Sequence, residues 1–343
     1  MPVEEETVDA VHDPKGSTRI CPNCGGHSFK ASISVERIRR ESAYRKQFVM
    51  ERFVHQPKPY ELKDLTDFAH SNNSAILACA ECGVFMRDEP ASESECNYIE
   101  DAYDTALIDR LFPRYVAAFR AKHNPYRSLL PSGSRVLEIG SHYGAFLQVA
   151  SEWGWQPIGV DIGRDTSEYA KSKGYLIFNK ELSECAFPAN IFDGVFVWNC
   201  FEQVAQPRPL LDELRRIVKP GGLLVVRTPN ALFYQACERL LQHAAGGREE
   251  FAFKAMAYNN LLAFPYLYGY QSANLNALVS REGFRLEGRV NSELLTLPLP
   301  ETPEWVAQEE HELHQAIERM NASASPNSRL TGPWIELYYR TEA

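Results

Sequence analysis

The chain has 343 residues, 44% of them hydrophobic and 24% charged, with 21 prolines and 20 glycines, a composition that excludes disorder, collagen and coiled coil and predicts about two globular domains. Its 36 basic and 45 acidic residues leave a net charge of −9, so nucleic acid or an anionic membrane would have to meet a local basic patch, and the stretch from Arg37 to Arg52 is the candidate. No run reaches 18 apolar residues, and the acidic opening MPVEEETVDAVH lacks a signal peptide's basic and then apolar pattern, so the expectation is a cytoplasmic protein without membrane contact.

Two knuckles come first, CPNCGG at Cys21 and Cys24 and CAECG at Cys79 and Cys82. Two residues between thiolates, with a following glycine free to turn, let both sulfurs face one tetrahedral ion, and two such knuckles supply four ligands to Zn²⁺. The 54 residues between them are long for a zinc ribbon, but Val35, Ile38, Tyr44, Phe48 and Phe53 recur at helical spacing among charges. That pattern predicts an amphipathic helix over 35–55 inserted into the ribbon. Cys96, Cys185, Cys200 and Cys237 have no ligand spacing and read as small buried residues. Residues 1–90 are thus a zinc-ribbon-like domain. Residues 91–131 follow as a helical connector that Pro113 breaks or restarts.

From 132 to 343 short apolar runs alternate with helical patterns: RVLEIG, a helix over 145–153, PIGVD, a short helix ending at Gly174, YLIF and FDGVFVW. Helices over 210–218, 232–241 and 272–282 then separate GGLLVVRTP, FRLEGRV and WIELYY. Strands alternating with helices predict an α/β, doubly wound, Rossmann-like parallel sheet covered on both faces. Residues 251–270 hold seven aromatics, Phe251, Phe253, Tyr258, Phe264, Tyr266, Tyr268 and Tyr270, against an 11% average. They form either a lid over an acceptor or a plug of the core. The helix carrying HELH at 311–314 reads as a solvated face, because its histidines lack zincin spacing.

The chemistry lies where the first sheet strand runs into VLEIGSHYGAF. Glycines between a strand and a helix let a ligand approach the backbone at the helix's positive end. The dinucleotide fingerprint needs glycine at 140, 142 and 145 but finds Gly140, His142 and Ala145. Glu138, Gly140 and Gly144 match instead the E-x-G-x-G-x-G form, with His142 in place of the middle glycine, and Asp161 ends the next strand 21 residues after Gly140.

With FPANIFDGVFVWNCFEQVAQP, LLDELRRIV and KPGGLLVVRTPN following, residues 130–292 resemble the class I S-adenosylmethionine-dependent methyltransferases. With the knuckles and GVFMRDEPASESE, the whole is similar to zinc-containing small-molecule methyltransferases, including sugar C-methyltransferases. The resemblance implies a seven-stranded methyltransferase sheet. Glu138, Gly140, Ser141, His142 and Gly144 would hold the methionine moiety of S-adenosyl-L-methionine, and Asp161 and Ile162 its ribose and adenine. Glu181 or Leu182 would close over the adenine edge, and Asn199 and Phe201 would line the floor near the sulfonium. His142, Glu202, Tyr266 and Tyr268 are the catalytic candidates. Gln203 stands where many relatives carry a histidine. The expected partner is a small-molecule acceptor. Two alternatives are a zinc-ribbon RNA methyltransferase using the Arg37–Arg52 helix and a non-catalytic S-adenosylmethionine-binding module.

Overall fold

The structure, a computed structural model, describes residues 19–56, 74–88, 105–121, 125–242, 248–262, 264, 267–292, 302–323 and 332–342. Tyr266 and Cys96 lie outside them.

The larger sheet has seven strands: β4 (Arg135–Ile139), β5 (Gln156–Asp161), β6 (Ile177–Asn179), β7 (Phe192–Trp198), β8 (Val218–Pro229), β10 (Phe284–Ser292) and β11 (Trp334–Thr341). Their order is β10-β11-β8-β7-β4-β5-β6. The five from β4 to β8 run parallel, and β11 enters antiparallel between β8 and β10. This is the predicted α/β sheet. Alternate residues serve two cores: Leu137, Ile139, Val195, Val197, Leu224 and Val226 join one apolar cluster, while Val136, Phe196, Trp198, Leu223 and Val225 join another. A sheet apolar on both faces needs helices on both. They are α3 (Ala145–Glu152), α4 (Arg164–Ser172), α5 (Pro207–Ile217) and α8 (Ser272–Arg281), which Gly283 ends at φ +81°. The strand order reverses between β4 and β7, and an open α/β sheet binds ligands at the carboxyl ends beside such a reversal.

The smaller sheet is antiparallel, in the order β1 (Phe29–Ile33), β2 (Ile76–Cys79), β3 (Phe85–Arg87) and β9 (Tyr268–Gly269). Its last strand comes from the aromatic segment, far along the chain. The inserted helix α1 (Val35–Met50) starts at Ser34, whose side chain accepts from the Arg37 amide. It stops short of Phe53 because the chain turns at Glu51 and Arg52, and the Arg52 guanidinium donates back to the Phe48 carbonyl at 2.9 Å.

One expectation is corrected, and one of two alternatives is favoured. Helix α2 (Thr105–Ala121) runs through Pro113 instead of breaking. Of its buried residues, Ile108, Phe112 and Val116 pack with Tyr143, Val149 and Tyr169, which outweighs the one backbone donor that proline lacks. The segment 251–270 is in large part core and not lid. Arg248–Tyr258 forms α7, following α6 (Ala231–Gln242), and Phe253, Tyr258 and Phe264 are buried with Phe48 and Phe233. Its aromatics sit on a helix inside an apolar cluster, where ring area is worth most. Among the segment's described aromatics, Tyr268 and Tyr270 lie beyond that cluster, at the sheet's carboxyl edge. The HELH histidines lie on α9 (Glu304–Ser323), with His311 exposed.

Candidate active site and metal centre

After β4 the backbone enters the left-handed region three times, at Gly140 (φ +71°), His142 (φ +47°) and Gly144 (φ +80°). The glycine turn is therefore kept, with histidine tolerating a conformation that its neighbours reach as glycine. A Cβ on Gly140 would lie 2.8 Å from the Cys200 Sγ, and one on Gly144 would lie 2.9 Å from the Tyr175 ring. Neither position admits a side chain. Cys200, read from sequence only as a buried residue, in fact closes the turn by donating its thiol to the Ile139 carbonyl at 3.3 Å.

Asp161 holds this turn against the next one. Its Oδ2 accepts the His142 amide at 2.7 Å, and its Oδ1 accepts the Gly163 amide at 2.8 Å and the Thr166 hydroxyl at 3.1 Å. Asn179 donates to the Asp161 and Gly163 carbonyls, both at 3.0 Å. With about four acceptor sites on a carboxylate, roughly one is left for a ligand. Thr166, Gly163 and Asn179 have no signature in the sequence, because they act by position around the acid.

Behind the turn, Glu138 and Ser141 are buried, and Glu138 Oε2 and Ser141 Oγ have no hydrogen-bond partner among the described residues. Burial, reinforced by the nearby Asp161 charge, pushes the Glu138 carboxyl well above its usual range. Burial also lowers the His142 imidazole, with Asp161 pulling the other way; the ring packs on Tyr143 at 3.7 Å between centroids. Ile162 is 44% exposed beside the turn. Of the pair after β6, Leu182 is buried in the sheet's core, and Glu181 is exposed and caps the short turn at 182–185 through a reciprocal pair with Glu184.

Asn199 follows β7 at φ +54°. Its side-chain oxygen accepts from the Arg227 guanidinium, and its amide donates to the Arg227 carbonyl at 3.1 Å. Arg227 lies opposite Glu336 in the β8–β11 register, and the two pair at 3.3 Å, both buried. The side chain expected to line a floor is thus bound from behind by an ion pair. Beyond it Phe201 is fully buried against Tyr270, ring centroids 5.5 Å apart. Glu202 is fully buried beside Thr228 and Gln203, and the buried Tyr270 hydroxyl has no partner among the described residues. Burial raises the Glu202 carboxyl to about 7, against the pull of its own backbone amide, of Thr228 and Gln203, and of the Arg227 charge. Tyr268 is partly exposed and donates to the Ala205 carbonyl at 3.1 Å. Among the described candidates, His142, Glu202 and Tyr268 thus all lie at the carboxyl edge of the sheet.

The four predicted cysteines converge. Their sulfurs all lie within 4.8 Å of one another, with Cys21–Cys82 and Cys24–Cys79 each at 3.6 Å. A tetrahedral Zn²⁺ with bonds of about 2.3 Å sets its thiolates roughly 3.8 Å apart, so this donor set fits zinc. Gly25 and Gly83 make the knuckle turns at φ +82° and +72°.

Fold and site together define a class I methyltransferase, whose methyl donor is S-adenosylmethionine. Residues 107–287, more than half of the chain, match the family described as a methyltransferase domain, and the chain belongs to that family. A probable methyltransferase, ltbC, of Aspergillus luteorubrus is 25% identical over 270 residues, covering 72% of this chain and 87% of the fungal protein. An uncharacterized protein of Methanocaldococcus jannaschii is 24% identical over 118 residues, covering 34% of this chain; the chain spans 55% of that relative's length. Among solved structures, a SAM-dependent methyltransferase from Archaeoglobus fulgidus aligns with a TM-score of 0.42 and 19% identity, over 69% of this chain and 100% of that one. Among the described residues no helix is long and apolar enough to cross a membrane.

Proposed function

We propose that this methyltransferase acts on a small molecule, a sugar or heterocycle presenting a hydroxyl, amine or acidic carbon, and carries a structural zinc on Cys21, Cys24, Cys79 and Cys82. The observation that carries the choice of acceptor is the fate of the basic helix. Arg37 pairs with Glu238 and Glu41, both at 3.3–3.5 Å, Arg40 pairs with Glu249, Arg52 pairs with Glu309, and Arg45 is buried. Each of these four arginines is paired within the protein or buried, so the basic patch that favoured RNA loses most of its free charge.

The chemistry that S-adenosylmethionine supplies is an electrophilic methyl on sulfur. Gly140 and Gly144 leave the backbone open to it. Glu138 Oε2 and Ser141 Oγ, buried without partners among the described residues, would receive the methionine ammonium and its polar neighbours. Asp161 offers its remaining acceptor site to the ribose, and Ile162 packs on the adenine. In-line transfer needs donor and acceptor held about 3–3.5 Å apart, a task given to Phe201, Tyr268 and Tyr270. Glu202 is the base: a carboxyl ionising near neutrality takes the acceptor's proton at the working pH.

The test is transfer of radiolabelled methyl to a panel of phenols, amines and nucleotide sugars, with total RNA alongside. Label in a small molecule and none in RNA is expected. Label in RNA alone would overturn the reading.

A further inference from the structure

We propose that the four-cysteine ribbon is the positioning element of the acceptor wall, so that the metal sets where Tyr268, Tyr270 and the Phe201–Gln203 turn stand. The proposal rests on the zinc and acceptor readings above. Four independent ties carry it. First, the ribbon sheet is completed by β9: Met86 and Phe85 pair with Tyr268 and Gly269, so the strand bearing the wall tyrosine belongs to the ribbon's own ladder. Second, Asn274 at the start of α8 donates to the carbonyl of Cys82 at 3.2 Å, while its side-chain oxygen accepts the Gln271 amide at 2.8 Å. Third, Arg208 of α5 and Arg281 of α8 both donate to the carbonyl of Asn23, inside the first knuckle, at 3.2 and 3.0 Å. Fourth, Cys21, Cys79 and Val84 share one apolar cluster with Phe201, Tyr270 and Leu275.

Each knuckle is therefore clamped to the sheet domain through a carbonyl whose place is fixed by the thiolate geometry next to it. Backbone amides of the knuckles are taken internally, as in Gly83 N–H to Cys79 O at 2.9 Å and Cys21 N–H to Gly26 O at 2.8 Å. The outward carbonyls of Asn23 and Cys82 are left for Arg208, Arg281 and Asn274. Loss of the ion relaxes the knuckles, and the wall moves with them. The cofactor turn at Gly140–Gly144 is tied instead to Asp161 and Cys200 and has no hydrogen bond to the ribbon among those described above, so it stays.

The experiment compares hydrogen exchange in the zinc-loaded protein, the same protein after chelation, and the zinc-loaded Asn274→Asp variant. Aspartate keeps the acceptor for the Gln271 amide and replaces the donor to Cys82 by a carboxylate oxygen that the carbonyl repels. Chelation should speed exchange at 201–204 and 268–275 at least about tenfold while residues 136–161 stay protected, and S-adenosylhomocysteine should bind within about threefold of its original affinity. Asn274→Asp should reproduce a smaller form of the same pattern and shift the visible bands of the cobalt-substituted protein, which report thiolate geometry directly. Unchanged exchange at 201–204 and 268–275 in both comparisons would overturn the proposal, as would equal loss of protection throughout the sheet. Absence of bound zinc or cobalt on elemental analysis would defeat the metal reading itself. Label found only in RNA would defeat the acceptor reading, leaving the exchange result to judge the coupling.

Discussion

Glu202 brings a carboxyl group into full burial at the end of the sheet, and its titration has a definite sign. Its folded pKa of about 7 lies above the ordinary 4.5, so between those values the folded chain keeps a proton that the unfolded chain has lost. Stability is therefore full below about 4.5 and declines as the pH rises through about 7, by on the order of 3 kcal/mol. Glu202→Gln should flatten this decline, which urea unfolding at pH 5 and pH 8 measures. Equal losses in wild type and variant would show that Glu202 is not the group responsible. Glu138, buried and also raised, contributes in the same direction and is common to both proteins. Asp161 carries a second prediction. Its replacement by alanine should weaken S-adenosylhomocysteine binding at least about tenfold, roughly 1.4 kcal/mol, because it removes a ligand acceptor and also the clamp on the His142 amide. Thr166→Val, which removes one donor to the acid, should weaken it by less than about threefold in the same calorimetry. Glu138, the glycines and Asp161 were legible as a spaced motif. The Arg227–Glu336 pair was not, because positions 109 apart meet only through the β8–β11 register.

At the scale of elements, periodicity found α1 but misread its charges. A helix of apolar spacing with arginines between reads as a solvated basic face, and the partners that reverse this reading, Glu238, Glu249 and Glu309, come from α6, α7 and α9. Arg52 shows the difference most clearly: it is buried, lies 3.5 Å over the Phe48 ring and donates to Tyr258 at 3.2 Å. Arg52→Met should cost about 3 kcal/mol, since Glu309 would lose its buried guanidinium partner and keep only Lys254 and the Tyr258 hydroxyl. Arg40→Ala, breaking a pair whose side chains are 56% and 45% exposed, should cost less than about 1 kcal/mol in the same denaturant titration. Comparable losses at both sites would contradict the burial argument. Strand β9 was illegible for another reason: two residues carry no alternation, and their pairing with β3 is entirely long-range.

For the molecule as a whole, the alternation of strands and helices predicted the seven-stranded sheet, but no local pattern revealed that ribbon and sheet share an apolar cluster. Apolar residues in contact across such a cluster unfold together when its area is large. Zinc release, followed with a chromogenic chelator, should therefore coincide with the loss of tryptophan fluorescence along a urea titration. Release at a clearly lower urea concentration would show that the ribbon opens by itself.

The pairing of β3 with β9 also orders events during synthesis. Arg87 leaves the ribosome about 180 residues ahead of Tyr268, a delay of roughly 10–40 s at 5–20 residues per second. Throughout that interval β3 is the outer strand of a nascent three-stranded sheet, with its ladder groups open to any passing extended chain. The partner that covers it is short, two residues, and arrives only after the parallel strands β4 to β8 have been made. A truncated product ending before Tyr268 would hold all four cysteines and the whole cofactor turn, yet keep that edge permanently unpaired.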